Sequence, residues 1–208
     1  MVPLSLTARR FWISQPSRVI FFMGRNNSGH KRKGLNEFPY DLDFTQTDFR
    51  QHPELYRIGR GEQGVLMVQP YKSEILPHWR FKTPELARES AEKIWGLFEE
   101  YLDSNDFVGA DMARKYLQMG FTRARRYANH ASGRKYQTGD HDANKGKYYP
   151  YTSGSKHREN PILPQEKDAY TSEKAESARI FKDFWDRARD EPRYQQQKEE
   201  FRAKYYSK

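Results

Sequence analysis

The stretch that decides the fold is DFVGADMARKYLQMGFTRARRYA, residues 106–128. When it is drawn as a helix, its small and apolar residues recur every three or four positions and fall within an arc of about 100°. They are Ala110, Ala113, Leu117, Gly120, Phe121, Ala124 and Ala128. We therefore predict a helix that a partner helix can approach closely, with Tyr116 and Tyr127 at its margin and their hydroxyls in water.

The opposite face of this helix is basic, and it leads into a basic loop at residues 131–160. The helix contributes Arg114, Lys115, Arg123, Arg125 and Arg126. The loop contributes Arg134, Lys135, Lys145, Lys147, Lys156 and Arg158, mixed with Tyr136, Tyr148, Tyr149 and Tyr151. Residues 114–158 hold eleven basic and two acidic side chains, whereas 37–113 and 159–208 together carry about seven negative charges in excess. One basic belt on a slightly acidic body favours a localised anion site.

The composition limits the class of protein. A chain of 208 residues predicts one domain with tails. Hydrophobic content is 36%, but 31 aromatic residues can anchor a modest core. The absence of cysteine excludes disulfides, thiolate metal sites and cysteine nucleophiles, and is typical of a reducing compartment. No apolar run approaches the roughly 18 residues of a membrane span, so we expect no membrane partner.

Residues 1–36 differ from the rest, with seven basic side chains and no acidic one. Arginine and serine among apolar residues at 1–22 are typical of an organellar transit peptide, which predicts a mitochondrial protein. The alternative is an untranslated extension with Met23 as the true start, which predicts a cytoplasmic or nuclear protein. Both interpretations place the protein inside the cell, and both make residues 1–36 a disordered basic leader.

The segment that follows alternates aromatic rings with carboxylates. Its rings are Phe38, Tyr40, Phe44 and Phe49, and its acids are Asp41, Asp43 and Asp48. We expect the rings to cover the core while the carboxylates face water. The oxygen-ligand loop pattern, with its glycine and terminal glutamate, is absent from the sequence, so no metal and no cofactor are expected.

Residues 59–64 read GRGEQG, which matches the pattern G-x-G-x-x-G. The dinucleotide-binding form of that pattern requires a helix directly after the glycines. The sequence VLMV at 65–68 instead predicts a strand, so we interpret the glycines as a turn. A second short strand at 75–81 then completes a small antiparallel β element near residues 64–81.

Three further helices have clear boundaries. Thr83 and Pro84 begin one that ends near 103–105, and Asp106 then caps the next. Another begins at 171 or 172 and stops at Pro192, and a last one covers 193–205. The fold class is therefore α+β, mainly helical, with about four helices. We predict a single globular domain at 37–190 and a C-terminal helix at 191–208.

Several strings in the chain resemble an uncharacterised family labelled domain of unknown function 4385. They are PELYR at 53–57, the glycine segment at 59–64, PYKSEI at 70–75, HWRFKTP at 78–84 and FTRARRYANH at 121–130. The resemblance covers about residues 38–190. It implies no activity, substrate or catalytic residue, so the function must be argued from the side chains themselves.

The first functional hypothesis is nucleic-acid binding, of DNA or RNA, without catalysis. Basic side chains neutralise phosphates and release counterions, while tyrosine rings stack on exposed bases. The residues proposed for these contacts are Arg114, Arg123, Arg125, Arg126, Tyr127, Arg134, Lys135 and Tyr136. The competing interpretation of the same residues is a solvated helix face.

Two other hypotheses belong to different classes. An enzyme acting on a phosphorylated or anionic small molecule would use an anion pocket made of Arg60, Glu62, His78, Arg80 and His130. Its spacing matches no catalytic motif, so whether the protein is an enzyme stays open. An interaction or assembly factor would self-associate or bind a protein through Phe181, Phe184 and Trp185. These residues form a wider apolar face than packing against one small neighbouring element requires.

Overall fold

Five α-helices account for most of the part of the chain that the computed structural model describes, residues 38–137 and 161–206. They are α1 (Tyr71–Ile75), α2 (Pro84–Asp103), α3 (Phe107–Asn129), α4 (Glu173–Asp190) and α5 (Pro192–Tyr205). Single 3-10 turns lie at Pro53–Leu55 and Leu76–His78. The four predicted helices are confirmed, and α1 is additional. The predicted leader at 1–36 and most of the basic loop, at 138–160, lie outside the described residues.

The long helices begin where side chains can bond their first free N–H groups. The Thr83 hydroxyl accepts from the N–H of Leu86 at 3.3 Å, and Asp106 accepts from that of Gly109 at 3.1 Å. Ser172 caps α4 in the same way. The starts of α2 and α3 predicted from these residues are therefore confirmed, and α4 starts at the later of its two predicted positions.

Helix α3 lies at the centre and packs against both α2 and α4. The predicted arc is buried, with Ala110, Ala113, Leu117 and Ala124 fully inaccessible to solvent. The ring of Phe181 on α4 lies directly against the Cα of Gly120. The small residues of α3 therefore allow the close approach that the sequence predicts. Tyr116 is an exception to the prediction, because it is fully buried and its hydroxyl has no hydrogen-bond partner in the described part of the chain.

The wide apolar face of α4 is used within the fold. Phe181 is fully buried, and Phe184 and Trp185 are half-buried. The ring of Phe184 lies 6.2 Å from that of Trp95 on α2, and the ring of Trp185 lies 5.8 Å from that of Phe121 on α3. These three side chains thus join α4 to α2 and α3.

The aromatic segment before α1 packs as predicted at three of its four rings, whereas Tyr40 is 37% exposed and Asp48 is half-buried. The rings of Phe38, Phe44 and Phe49 are buried and stack in order at 5.5 Å. Phe49 then meets Tyr56, which contacts Phe201 of α5 at 6.0 Å. Asp41 and Asp43 face solvent. Through Tyr56, this aromatic segment therefore contacts α5.

The predicted antiparallel β element near residues 64–81 is wrong. No strand occurs in 38–137 or 161–206, and the region contains turns, α1 and a 3-10 turn instead. Val65 and Val68 are buried while Leu66 is 42% exposed, so burial follows a spacing of three and not the spacing of two that a strand requires. The N–H groups of Met67 and Val68 both donate to the carbonyl of Gly64, which leaves them unavailable for a partner strand. The fold is therefore helical.

None of the helices within 38–137 and 161–206 is both long and apolar enough to span a bilayer.

Candidate nucleic-acid interface

The candidate surface lies at the C-terminal end of α3. There the chain leaves the helix through residues 131–137 and returns through 161–170. The two segments are joined by bonds from the N–H of Leu163 to the carbonyl of Lys135 at 2.8 Å and from that of Gln137 to Pro161 at 2.9 Å. The N–H of Glu166 bonds the last helical residue, Asn129, at 2.9 Å. The predicted basic loop is thus anchored to α3 at both of its ends.

Four of the predicted phosphate-binding side chains are at least partly accessible on this surface. Arg126, Arg134 and Lys135 are exposed, and Arg123 is half-buried. Burial and the charge of Arg123 lower the pKa of Arg126, and the carboxylate of Glu62 acts in the opposite direction. Among the described acids, none forms an ion pair with Arg123 or Arg126. Their positive charges therefore remain available to an external anion.

Arg125 contacts the returning segment, residues 161–170. Its guanidinium donates to the carbonyl of Ala169 at 2.6 Å and lies 4.2 Å from the centre of the Tyr170 ring. Tyr170 is 69% exposed. Sequence reasoning missed Tyr170, because nothing in the local pattern distinguishes a ring held at the surface from one packed inside.

The two predicted stacking residues are less open. Tyr127 is 42% exposed and lies 6.0 Å from the ring of Phe81. Gly133, at φ 66°, packs its backbone on the Tyr127 ring, and a Cβ there would lie 2.7 Å from Cζ. Tyr136 is half-buried, with the ammonium of Lys135 5.4 Å from its centre. Both tyrosines are partly accessible, and Tyr136 also lies beside a cation.

Arg114 and Lys115 do not belong to this surface, which corrects the predicted basic face. Lys115 is fully buried, and the Arg114 side chain is 12% exposed. Both lie beside the buried carboxylate of Asp111, which is three and four residues earlier on the same helix. The spacing Asp111, Arg114, Lys115 was a usable signal, because a carboxylate three and four residues before two cations can neutralise them inside a core.

Asp111 is the centre of a buried polar cluster. It accepts bonds from the hydroxyls of Tyr56 and, at 2.7 Å, Tyr194 of α5. The Arg114 guanidinium donates to it at 3.0 and 2.8 Å. The ammonium of Lys115 lies 3.3 Å from Asp111 and donates to the Tyr56 hydroxyl and the carbonyl of Gln63. The cluster therefore joins α3 to α5 and to the segment before α1.

The charges in this cluster determine its protonation. Burial by itself would raise the pKa of Asp111, but the charges of Lys115 and Arg114 hold it well below its ordinary value. Burial lowers the pKa of Lys115 and raises those of Tyr56 and Tyr194. Because Asp111, Lys115, Tyr56 and Tyr194 are buried and bond within the cluster, the cluster joins distant parts of the fold.

The five residues of the alternative anion pocket differ in their exposure and in their bonding partners. Arg60, His78 and Arg80 are exposed, Glu62 accepts a bond from Thr122, and the ring of His130 bonds the carbonyl of Pro164 at 3.0 Å. Within the ranges that the structure covers, the five residues form no hydrogen bond or ion pair with one another. Those same ranges contain no group of three or more histidine or acidic residues placed to hold a metal ion.

A cleft of about 530 Å³ lies at the other end of α3, between the α2–α3 turn and α5. Phe107 and Phe201 are among its walls, and Arg50 and Asp106 lie at its edge. The guanidinium of Arg50 bonds Glu74 at 2.9 and 2.8 Å and Asp106 at 3.0 Å, while Tyr71 and Tyr101 donate to the same carboxylates. These polar groups satisfy one another, and none of the predicted site residues lines the cleft.

Comparison with protein families gives one result that bears on identity. The family model described as Domain of unknown function (DUF4385) matches residues 39–204. The chain belongs to this family. The match confirms the resemblance and extends it past residue 190, so that all of α5 except Tyr205 lies inside the DUF4385 region. Comparison of this DUF4385 protein with curated proteins and with solved structures gives no match.

Proposed function

We propose that this protein binds nucleic acid through the exposed cations at the C-terminal end of α3 and on the segment that follows. The observation that carries the proposal is the grouping of Arg123, Arg126, Arg134 and Lys135 within thirteen positions of chain, on two segments in direct contact. Arg114 and Lys115 are left out of the phosphate-binding set because they are buried or nearly so, and Arg125 because its guanidinium holds the carbonyl of Ala169 and the ring of Tyr170.

Phosphate neutralisation provides the affinity in this proposal. Each basic side chain that contacts a phosphate releases counterions, so affinity decreases steeply with salt. A folded body that is otherwise slightly acidic directs a polyanion to this one region. Tyr136 lies beside Lys135, and Tyr127 is 42% exposed, so both can provide ring area for bases.

The test measures binding of the full chain to labelled mixed-sequence oligonucleotides, as DNA and RNA, across a salt series. Replacing all four cations with alanine should reduce the slope of log affinity against log salt by about 3. It should also lower affinity by more than about tenfold at low salt. All four side chains are at least partly accessible, so the fold should persist.

A matched control removes the same charge elsewhere. Arg88, Lys93, Arg202 and Lys204 are all exposed and lie on α2 and α5. Their alanine variant has the same net charge as the test variant but should retain the wild-type salt slope. The proposal fails if the wild type shows no salt-dependent binding, or if the control variant loses as much affinity as the test variant.

A further inference from the structure

We infer that this surface selects single-stranded nucleic acid, with Tyr170 as a base-stacking residue. The inference rests on the proposed function and adds to it a substrate class and a residue that the sequence did not indicate.

Tyr170 is firmly held at its backbone while its ring faces solvent. The preceding residue, Ala169, is 1% exposed, and its carbonyl accepts a bond from Arg125. The carbonyl of Tyr170 itself accepts from Arg179 of α4 at 3.2 Å. The ring is nevertheless 69% exposed, the largest exposed fraction of any large hydrophobic residue in the described chain. An aromatic side chain fixed in position loses little further freedom when a base binds to it.

Arg125 prepares the ring for stacking. Its guanidinium lies 4.2 Å from the ring centre, the distance of a stacked cation–π contact. Together, Arg125 and Tyr170 present a flat, cationic platform whose exposed ring area is available to a base.

The same combination occurs twice around this end of α3, with Tyr136 beside Lys135 and Tyr170 against Arg125. Tyr127, which is 42% exposed, adds a third accessible ring. Alternating rings and cations are the chemistry by which proteins hold single strands without reading sequence, because every base has a π-face. A duplex buries its bases in its own stack, so it can use the cations but not the rings.

Two carboxylates in the same segment as Tyr170 favour base stacking over phosphate contact as its contribution to binding. Glu166 and Asp168 lie in the same segment, and Glu166 also accepts a bond from the N–H of Ala131. Their negative charge reduces phosphate attraction at this point. A ring that contributes here must therefore do so through contact with a base.

The experiment compares single-stranded oligonucleotides of about 12 nucleotides with the matching duplexes, using the full chain. Wild type should bind the single strand more tightly. Tyr170→Ala and Tyr170→Leu should each lower single-strand affinity about tenfold and change duplex affinity by no more than about twofold, whereas Tyr170→Phe should retain binding. Ile162→Ala is the matched control, since Ile162 is 64% exposed in the same returning segment and has no ring.

The outcomes separate this inference from the proposed function. Equal binding of single strand and duplex, or unchanged single-strand affinity in folded Tyr170→Leu, overturns the role of Tyr170 while salt-dependent binding keeps the proposed function. Absence of any salt-dependent binding by wild type overturns both. Thermal melting of each variant shows whether it is folded, and the leucine variant decides the question if the alanine variant is not.

Discussion

At the scale of single residues, Asp111 is a fully buried carboxylate among the small apolar residues of α3. A carboxylate among buried alanines is costly to desolvate unless cations and donors surround it. Here two cations and two tyrosine hydroxyls do so. The net effect of such a pair on stability can be small, but removing one member leaves uncompensated charge inside the protein.

Asp111→Asn should therefore destabilise the fold by about 3–5 kcal/mol, because Lys115 and Arg114 remain buried without their counter-charge. Urea denaturation of the full chain measures this free energy of unfolding. Asp103→Asn is the matched control, since Asp103 pairs with Arg193 at 2.8 Å on the surface. Exposed pairs contribute about 0–1 kcal/mol, so equal losses in the two variants would contradict a central role for Asp111.

At the scale of helices, the contact of Gly120 with Phe181 fixes how closely α3 and α4 approach. Any side chain at position 120 would overlap the Phe181 ring, and that ring is fully buried. Neither element can shift without moving the rest of the three-helix core, because α2 contacts both.

Gly120→Ala should cost about 1–3 kcal/mol through overpacking. A second glycine provides the opposite expectation. A Cβ at Gly96, inside α2, meets nothing within 4 Å, so Gly96→Ala should stabilise by up to about 1 kcal/mol through helix propensity. Thermal and urea denaturation of both variants check the pair. Destabilisation by both to the same extent would mean that packing at Gly120 is not what limits the approach.

At the scale of the whole molecule, carboxylates join the segment before α1 to the helices. Asp111 bonds Tyr56, and Glu74 bonds Arg50. Asp111 also accepts a bond from Tyr194 of α5, and Glu74 accepts one from Tyr101 of α2. Hydrogen bonds from Arg50 hold the pKa of Glu74 below its ordinary value, and the neighbouring cations do the same for Asp111.

Both pKa values are lower in the folded than in the unfolded state, so the unfolded chain binds more protons as the pH decreases. The stabilisation is therefore complete above the ordinary values of 4.5 and 3.8 and is lost as the pH falls through and below them. The free energy of unfolding, measured in urea from neutral pH to about pH 2, should stay level and then decrease below about pH 4. Asp111→Asn should show a shallower decrease. An unchanged acid dependence in that variant would contradict the assignment.

The sequence by itself determined the four long helices and the covering aromatic segment. Capping residues such as Thr83 and Asp106 satisfy helix ends locally, and the arc of α3 follows from its own periodicity. The family also follows from local strings. None of these features depends on which distant residues meet.

Only the tertiary structure decided which basic side chains of α3 are exposed. Lys115 and Arg126 look alike in a helical projection, yet one bonds Tyr56 inside the core and the other faces solvent. The same applies to Val65 and Val68, whose burial follows a turn rather than a strand. Burial and exposure depend on partners far away in the chain, such as Tyr194 for the buried Asp111 and Arg125 for the exposed Tyr170, and a local pattern contains no information about them.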